Sequence, residues 1–229
     1  MSMITSHITA LNALIYNATA YATVAQNNAS SPLTNLYLSL HTAWPGITGS
    51  QTTSEASYTG GSGNYARIAV ARTSGGFTVS GRTIALAANA VFATANSAQN
   101  LFFWGLGSLV SGAGELWHAG GIGPNNPTPF VVLTGAPTIY SQGHGFTAGQ
   151  TVFFMAGPSG SVPTGLTEGT IYYVIATGLT ADAFQVSATS GGSAITPSST
   201  GSGFVQYVQG FAVVSGYTPT LAAGTSITF

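Results

Sequence analysis

The sequence is unusual first for how little charge it contains. Only 3% of its 229 residues are charged and lysine is absent, whereas roughly a quarter of the residues in an ordinary globular domain are charged. The charged residues are Arg67, Arg72, Arg82, Glu55, Glu115, Glu168 and Asp182. Because recognition of a phosphate backbone needs several clustered cations, three arginines predict that the protein has no nucleic-acid partner.

The shortage of charge also bears on assembly. A formal net charge of −1 gives copies of the chain little electrostatic repulsion. A surface of Ser, Thr, Gly, Asn and Ala is tolerated best when much of it is covered by other subunits. We therefore expect a component of a larger assembly more than a free monomer.

Two further absences restrict the chemistry and the location. Cysteine is absent, which excludes disulfides and thiolate metal sites. No apolar run approaches the roughly 18 residues of a membrane helix, and the N-terminus lacks the basic region of a secretory signal. We expect no membrane partner, and a protein that acts where it is made or leaves the cell by lysis.

Hydrophobic residues make up 45% of the chain, enough for a sizeable core. Apolar residues at helical spacing, among them Ile8, Leu11 and Ile15, predict one helix from residue 4 to about 25, with Ser6 as a candidate cap. A polar linker follows, so that residues 1–32 form an N-terminal helix and linker.

The rest of the chain has the pattern of β-structure. In Leu36 to Gly46 the apolar residues Leu36, Leu38 and Leu40 alternate with polar ones, which predicts a strand with one buried face. Residues 65–73 and 77–80 flank Gly75-Gly76 and predict a hairpin. Residues 101–109 form a continuous apolar run that predicts a strand buried on both sides.

Turn signals every ten or so residues favour a β-sandwich or jelly-roll-like domain. A proline-rich break at 124–129 precedes a segment with several short strand patterns of its own. We predict a host domain of residues 33–134 plus 206–229, interrupted by a small β-barrel-like module at 135–205. An insertion of this length is physically acceptable because the cost of loop closure grows slowly with length.

Several motifs occur in order over residues 10–134 and 206–229: Asn17-Ala-Thr-Ala-Tyr21, the Leu-Tyr-Leu-Ser-Leu-His-Thr strand closed by Pro45-Gly46, Tyr65-Ala66-Arg67, Ser215 to Pro219, and Ala222 to Phe229. Together these motifs resemble a family of tailed-bacteriophage virion proteins, described as tail-fibre-like or minor structural proteins. The resemblance implies a structural protein of the virion. The shortage of charge and the segment after Pro129 depart from the family pattern.

The segment 135–205 is similar to a second, phage-associated β module. Its marks are the turn at 143–150, the Pro-x-Gly-Leu turn at 163–166, and the strands at 172–174 and 184–187. Related modules resemble the small β half-domain that interrupts ubiquitin-activating enzymes. With neither a cysteine nor a nucleotide site here, that enzymatic role does not transfer.

Few patterns suggest catalysis or metal binding. Glu115 and His118 form E-x-x-H, which places two ligands on one face of a helix. This segment is bracketed by glycines and is strand-like, so the two side chains are expected to point to opposite faces. Gly143, Gly145 and Ala148 match the loose dinucleotide fingerprint, but no helix pattern follows. We predict no catalytic residue, no metal site, no cofactor and no enzymatic activity.

The remaining histidines and aromatic residues have structural interpretations. We expect most of His7, His41, His118 and His144 to be hydrogen-bonded structural residues. Tyr37, Trp44, Trp104 and Trp117 are able to stack on sugars, but core packing is the commoner fate of strand aromatics.

The three arginines fall within a short stretch of sequence and have two interpretations. They pair with acids, either Glu55 and Glu115 or those of a neighbouring subunit, or they are isolated surface residues of little energetic weight. With the apolar face of the helix they complete the predicted assembly contacts: Ile8, Leu11, Ile15, Arg67, Arg72 and Arg82.

The resemblance and the composition together predict a capsid decoration protein of the cement or head-fibre kind, docked on the virion as symmetric homo-oligomers such as trimers. Its partners are then the major capsid or tail proteins of the same phage, and it is assembled in the cytoplasm of the bacterial host. A minor tail or tail-fibre protein remains an alternative. A carbohydrate-binding or depolymerising receptor protein, with 135–205 contacting a host-surface glycan, is an alternative of another class.

Overall fold

A computed structural model describes residues 5–21, 32–46, 48–58, 64–123, 127–157 and 159–228. The chain is mainly β, with 38% strand and 6% helix. The elements are α1 Thr5–Asn17, β1 Asn35–His41, β2 Ile68–Ala71, β3 Phe77–Ser80, β4 Thr83–Leu86, β5 Ala90–Val91, β6 Gln99–Leu101, β7 Phe103–Gly107, β8 Leu116–Gly121, β9 Thr128–Val132, β10 Ile139–Tyr140, β11 Thr151–Ala156, β12 Tyr172–Ile175, β13 Ala183–Ser187, β14 Gly201–Tyr207, β15 Phe211–Val213, β16 Thr220–Leu221 and β17 Ser226–Thr228.

The host domain is built from two antiparallel sheets around one core. The larger sheet has the strand order β2-β1-β7-β8 and the smaller has the order β17-β4-β3. Two further strand pairs, β15-β6 and β16-β5, flank them. Buried residues of both sheets, such as Leu38 and Leu106 on one and Phe77 and Ile84 on the other, belong to the same apolar cluster. The predicted mainly β fold, with an N-terminal helix and a small barrel module, is confirmed.

Strand β1 lies at the centre of this core. Leu36, Leu38 and Leu40 are almost completely buried, as the alternation predicts. Ser39 and His41, on the opposite face, are also fully buried. Strand β1 is central in its sheet, paired with β2 and with β7. On its second face His41 bonds the carbonyl of Thr53 at 2.8 Å, so the segment around Thr53 and Glu55 covers this end of the strand.

The helix is shorter than its sequence pattern predicts. It ends at Asn17, and Ala18 follows with a φ of 52°, a left-handed conformation that stops helical hydrogen bonding. Ser6 lies inside the helix, so it is not the residue that precedes the first turn. The later part of the predicted helix, residues 22–25, lies outside the described residues.

The predicted hairpin between residues 65–73 and 77–80 is wrong. Strand β2 pairs with β1, while β3 forms its hairpin with β4 through the two-residue loop Gly81-Arg82. Gly81 takes a φ of 59°, which suits such a loop. The Gly75-Gly76 turn therefore carries the chain from one sheet to the other.

The second unit is a closed six-stranded barrel with the order β10-β13-β12-β11-β14-β9. Its own core is rich in Phe and Val, including Phe130, Phe154 and Phe184. The barrel strands run from Thr128 to Tyr207, so they extend beyond the predicted module of 135–205 at both ends. Strand β9, assigned from sequence to the host, pairs with β10 and β14 of the barrel.

The barrel is attached to the host by two adjacent connections and an aromatic contact. The amide of Gly210 donates to the carbonyl of Ile122 at 2.8 Å, which fixes the outgoing and returning chains side by side. Phe103 of the host packs edge-to-face on Phe153 of the barrel, with ring centroids 4.8 Å apart. Trp44 packs against both rings, so the joint is a small apolar core of its own.

Candidate functional site

An apolar groove runs along the N-terminal helix. It holds about 310 Å³ and is lined by Ile8, Leu11, Asn12, Ile15, Tyr16, Arg82 and His118. Four of the six predicted assembly residues, Ile8, Leu11, Ile15 and Arg82, therefore lie together. The other two, Arg67 and Arg72, lie elsewhere. Most of the exposed surface of the groove is apolar, which suits it to hold an apolar side chain of another protein.

The packing of α1 against the smaller sheet positions the groove. Tyr16 is buried and meets Phe77 of β3 edge-on, with ring centroids 5.6 Å apart. Asn12 donates from Nδ2 to the carbonyl of Gly81 at 3.0 Å, which ties the helix to the β3–β4 loop. Arg82, the next residue of that loop, is exposed at the rim.

A tyrosine–histidine hydrogen bond closes the inner wall of the groove. The Tyr16 hydroxyl contacts Nε2 of His118 on β8. Burial raises the pKa of Tyr16 to about 12 and lowers the pKa of His118. Both side chains are therefore neutral at pH 7, and they share one hydrogen bond between the hydroxyl and Nε2.

Arg67 is an internal residue. Its side chain is 2% exposed and forms a two-pronged ion pair with Glu55, with Nε–Oε1 and Nη2–Oε2 distances of 2.6 Å each. The predicted pairing with Glu55 is thus the one present. Arg67 also donates to the carbonyls of Leu109 at 2.9 Å and Gly112 at 2.8 Å, so the guanidinium has several partners within the fold.

Polar side chains of the larger sheet extend this cluster. The Tyr65 hydroxyl donates to Oε1 of Glu55 at 3.1 Å and accepts from the amide of Leu40 at 3.0 Å. His41 bonds through Nδ1 to the carbonyl of Thr53 and through Nε2 to Ser39 Oγ, both at 2.8 Å. Burial is the main cause that lowers the pKa of His41. Every member is hydrogen-bonded within the protein, so the cluster is a structural one.

The cluster holds an exposed loop in place. The carbonyl of the loop residue Leu109 accepts from Arg67 and also from the side-chain amide of Gln51, the latter at 3.2 Å. The N–H of Leu109 donates to the oxygen of the same Gln51 amide at 2.8 Å. The side chains of Leu109 and Val110 nevertheless point to solvent. Sequence reasoning missed this loop, since its anchors are carbonyl oxygens that any residue supplies.

Arg72 binds the C-terminal end of α1. Its guanidinium donates to the carbonyls of Ile15 at 2.6 Å, Leu14 at 2.9 Å and Leu33 at 2.7 Å. The last four carbonyls of a helix lack partners within the helix, and a cation is favourable at that end. α1 has no basic residue in its last turn, so Arg72 of the neighbouring sheet segment supplies that charge.

The two remaining sequence patterns belong to the framework of the fold. Glu115 accepts from the Trp117 indole at 3.2 Å, while His118 faces Tyr16. Within the described ranges, no group of three or more His, Asp or Glu side chains is arranged to hold a metal ion. The glycines around His144 form a turn, in which its Nδ1 accepts from the amide of Phe146 at 2.9 Å, and strand β11 follows.

The aromatic residues considered as sugar platforms are partly buried. Trp104 and Trp117 pack against the host core, and Trp44 packs in the joint with the barrel. The indole N–H of Trp44 is buried without a hydrogen-bond partner. Gly169 of the barrel approaches this ring so closely that a Cβ there lies 2.4 Å from the Trp44 Cβ. The joint was missed in the sequence because it brings Trp44 of the host against barrel residues more than a hundred positions away.

Comparison with known proteins leaves the family open. No family model matches the chain, and neither the curated proteins nor the solved structures contain a match. Among the described residues, no helix has the length and apolar character required to cross a membrane.

Proposed function

We propose that the chain is a non-enzymatic structural protein of a tailed-bacteriophage virion, a capsid decoration protein of the cement or head-fibre kind that docks as symmetric oligomers. The observation that carries the proposal is the apolar groove along α1, set in a surface that has almost no charge. The sequence resemblance supports the phage context, and the groove supports docking as the mode of action.

The charges that exist support this interpretation. Arg67 and Glu55 form a buried ion pair with each other, and Arg72 binds the end of α1. Contacts with a partner must then come mostly from apolar and hydroxyl groups. Such contacts depend on shape and on water exclusion, and they are only weakly sensitive to salt.

Point substitution in the groove is a sharper test than truncation of the helix. Removing α1 also removes Tyr16 from the host core. Leu11 is 37% exposed and lines the groove, so Leu11→Gln weakens docking without opening the core. Leu33 is equally exposed and is not a groove residue, so Leu33→Gln is the matched control.

The measurement is the amount of protein retained on purified particles after gradient centrifugation. Because burial of a leucine contributes about 2 kcal/mol, we expect Leu11→Gln to lower incorporation roughly tenfold or more at limiting protein. Leu33→Gln should match the wild type. Equal incorporation of both variants contradicts docking through the groove, and wild-type protein absent from particles contradicts the virion role altogether.

Copy number separates the capsid from the tail. A decoration protein that follows capsid symmetry is present in hundreds of copies, on the order of one per capsomer or more, whereas a tail component follows six- or threefold symmetry in about six to a few dozen copies. Quantitative mass spectrometry of particles, calibrated on the major capsid protein, gives this number. A low number replaces the decoration role with the tail alternative.

A further inference from the structure

One outer face of the barrel is apolar and uncovered. On strands β9, β10 and β14 the outward positions include Val131, Tyr140 and Phe204, which are 50%, 48% and 37% exposed. Strand register places Tyr140 opposite Val131, and Val131 opposite Ser202. The alternate positions of the same strands, such as Phe130, fill the barrel core.

The two aromatic residues lie on either side of β9. Phe204 pairs with Pro129, two residues along the strand from Val131. Two strand spacings across and two residues along place the Cα atoms of Tyr140 and Phe204 about 12 Å apart. Two rings at this separation, with the aliphatic side chains of Pro129 and Val131 on the strand between them, form an extended platform for a linear ligand.

The charge distribution limits what the platform can bind. Strands β9, β10 and β14 contain no charged residue. The barrel as a whole has two acids and neither lysine nor arginine, since all three arginines precede it. Of the acids, Asp182 accepts from the Gly143 amide and Glu168 from the Ala156 amide. An anionic polymer finds no arginine or lysine here, and a cationic one finds no carboxylate on β9, β10 or β14, so this face suits a neutral ligand.

The geometry also disfavours a protein on this face. The barrel is closed, so it has no free edge to which a peptide can add as a strand. Strands β9, β10 and β14 have five, two and seven residues and together cover roughly 220 Å². That area is well below the approximately 800 Å² per partner of a standard protein interface, but it suits a short stretch of a sugar chain.

We propose that this outer face binds a neutral polysaccharide, with Tyr140 and Phe204 stacking on two sugar rings of one chain. The C–H faces of a pyranose ring pack on the electron-rich faces of aromatic rings. The exposed hydroxyls of Tyr140 and Ser202 supply hydrogen bonds to sugar hydroxyls. This site is separate from the groove on α1 and does not depend on the proposed virion role.

The test is biolayer interferometry of the full chain on immobilised polysaccharides. Mannan, dextran and a soluble β-glucan are the neutral probes, and alginate is the acidic comparator. We expect binding to at least one neutral polysaccharide and weaker binding to alginate. Tyr140→Ala and Phe204→Ala should each raise Kd about tenfold, as expected for loss of a stacked ring.

Two control variants isolate stacking from general effects. Tyr217 is 39% exposed and lies outside the barrel, so Tyr217→Ala should bind like the wild type. Tyr140→Phe retains the ring and should retain most of the affinity. Thermal melts followed by circular dichroism check that each variant is folded. We expect folding to be retained because both aromatic side chains point outward from the barrel.

Several outcomes overturn the proposal. The first is that the protein binds none of the three neutral polysaccharides. The others are a preference for alginate, or unchanged Kd values in both Tyr140→Ala and Phe204→Ala. Sedimentation velocity that shows self-association lost in these two variants assigns the face to contacts between copies instead. The Leu11→Gln variant should bind polysaccharide normally, so failure of the groove and failure of this face are distinguishable.

Discussion

Removing one partner of the buried Glu55–Arg67 pair should destabilise the host domain strongly. The two side chains are 15% and 2% exposed, so solvent screens the pair only slightly. Glu55→Gln keeps the shape of the side chain and removes its charge, which leaves the guanidinium buried without a counterion. Loss of one partner from a buried pair costs about 3–5 kcal/mol, and we expect the lower end because the Gln oxygen still accepts one bond.

Arg67→Met should cost at least as much for a different reason. The substitution leaves Glu55 charged beside Tyr65, and it also removes the donors to the carbonyls of Leu109 and Gly112. The carbonyl of Leu109 still accepts from Gln51, so the main cost is the uncompensated charge of Glu55. We expect the loop at 108–114 to exchange its amide hydrogens faster in this variant, because it loses the two bonds from Arg67 and keeps only those to Gln51.

The double variant Glu55→Gln/Arg67→Met tests whether the pair is the cause. Since neither charge remains buried in it, it should be more stable than the sum of the single losses predicts, with a coupling of about 1–3 kcal/mol. Urea denaturation followed by tryptophan fluorescence supplies each free energy of unfolding. Glu168→Gln, at an exposed acid of the barrel, is the control and should change stability by no more than about 0.5 kcal/mol.

The reasoning is refuted if both single variants lose less than about 1 kcal/mol, the range of a solvent-exposed pair. It is also refuted if the free energies add without coupling, because the two side chains then act independently.

Three further perturbations probe other parts of the structure. Arg72→Met removes the contacts to the end of α1, and should cost about 1–2 kcal/mol by thermal melting at the helical circular dichroism band; an unchanged melt contradicts this role. Because burial lowers the pKa of His41 in the folded state, this residue contributes to stability above the unfolded pKa of about 6.5, and the contribution declines as the pH falls below that value. A series of thermal melts from pH 8 to 5 should show the decline, and the decline should be smaller in His41→Gln. Gly169→Ala places a Cβ against Trp44 and should cost about 2 kcal/mol or more with a change in tryptophan fluorescence, whereas Gly191→Ala, at a similar φ with nothing within 4 Å, should cost only the backbone strain of about 1 kcal/mol.

The part of the fold that could be predicted from sequence is the part specified by local patterns. The alternation of Leu36, Leu38 and Leu40 identified β1, and the strands predicted at 172–174 and 184–187 correspond to β12 and β13. The change of composition after the proline-rich break indicated a separate module, which is the barrel.

Strand pairing was the part that local patterns did not specify. Residues 68–71 and 77–80 are both strands, but hydrogen bonding sends them to different sheets. The sequence between them has a good turn signal, and a turn between sheets has the same residues as a turn within a hairpin. Only the shared core of both sheets decides between these outcomes.

The candidate site followed the same division. The periodicity of Ile8, Leu11 and Ile15 predicted one apolar face of α1, because helical spacing is local. Arg82 joins this face, whereas Arg67 and Arg72 do not. This difference arises from contacts between residues distant in sequence, which a local pattern does not encode. The platform of Tyr140 and Phe204 was not foreseen, since it exists only when β10, β9 and β14 lie side by side.

The position of the arginines gives the low charge of this chain a physical meaning. A protein kept apart from its neighbours by charge places its cations on the surface, where they are hydrated. Here one arginine fixes an exposed loop to the larger sheet and another fixes the end of α1, so their charge serves the fold. Only four charged residues, Arg82, Glu115, Glu168 and Asp182, are exposed, so the outer surface is mostly apolar and neutral-polar. Recognition on it must then work mainly through shape and the exclusion of water. The groove on α1 and the barrel face both have this character, which is why substitutions of single apolar side chains, and not changes in salt, are the decisive tests of what they bind.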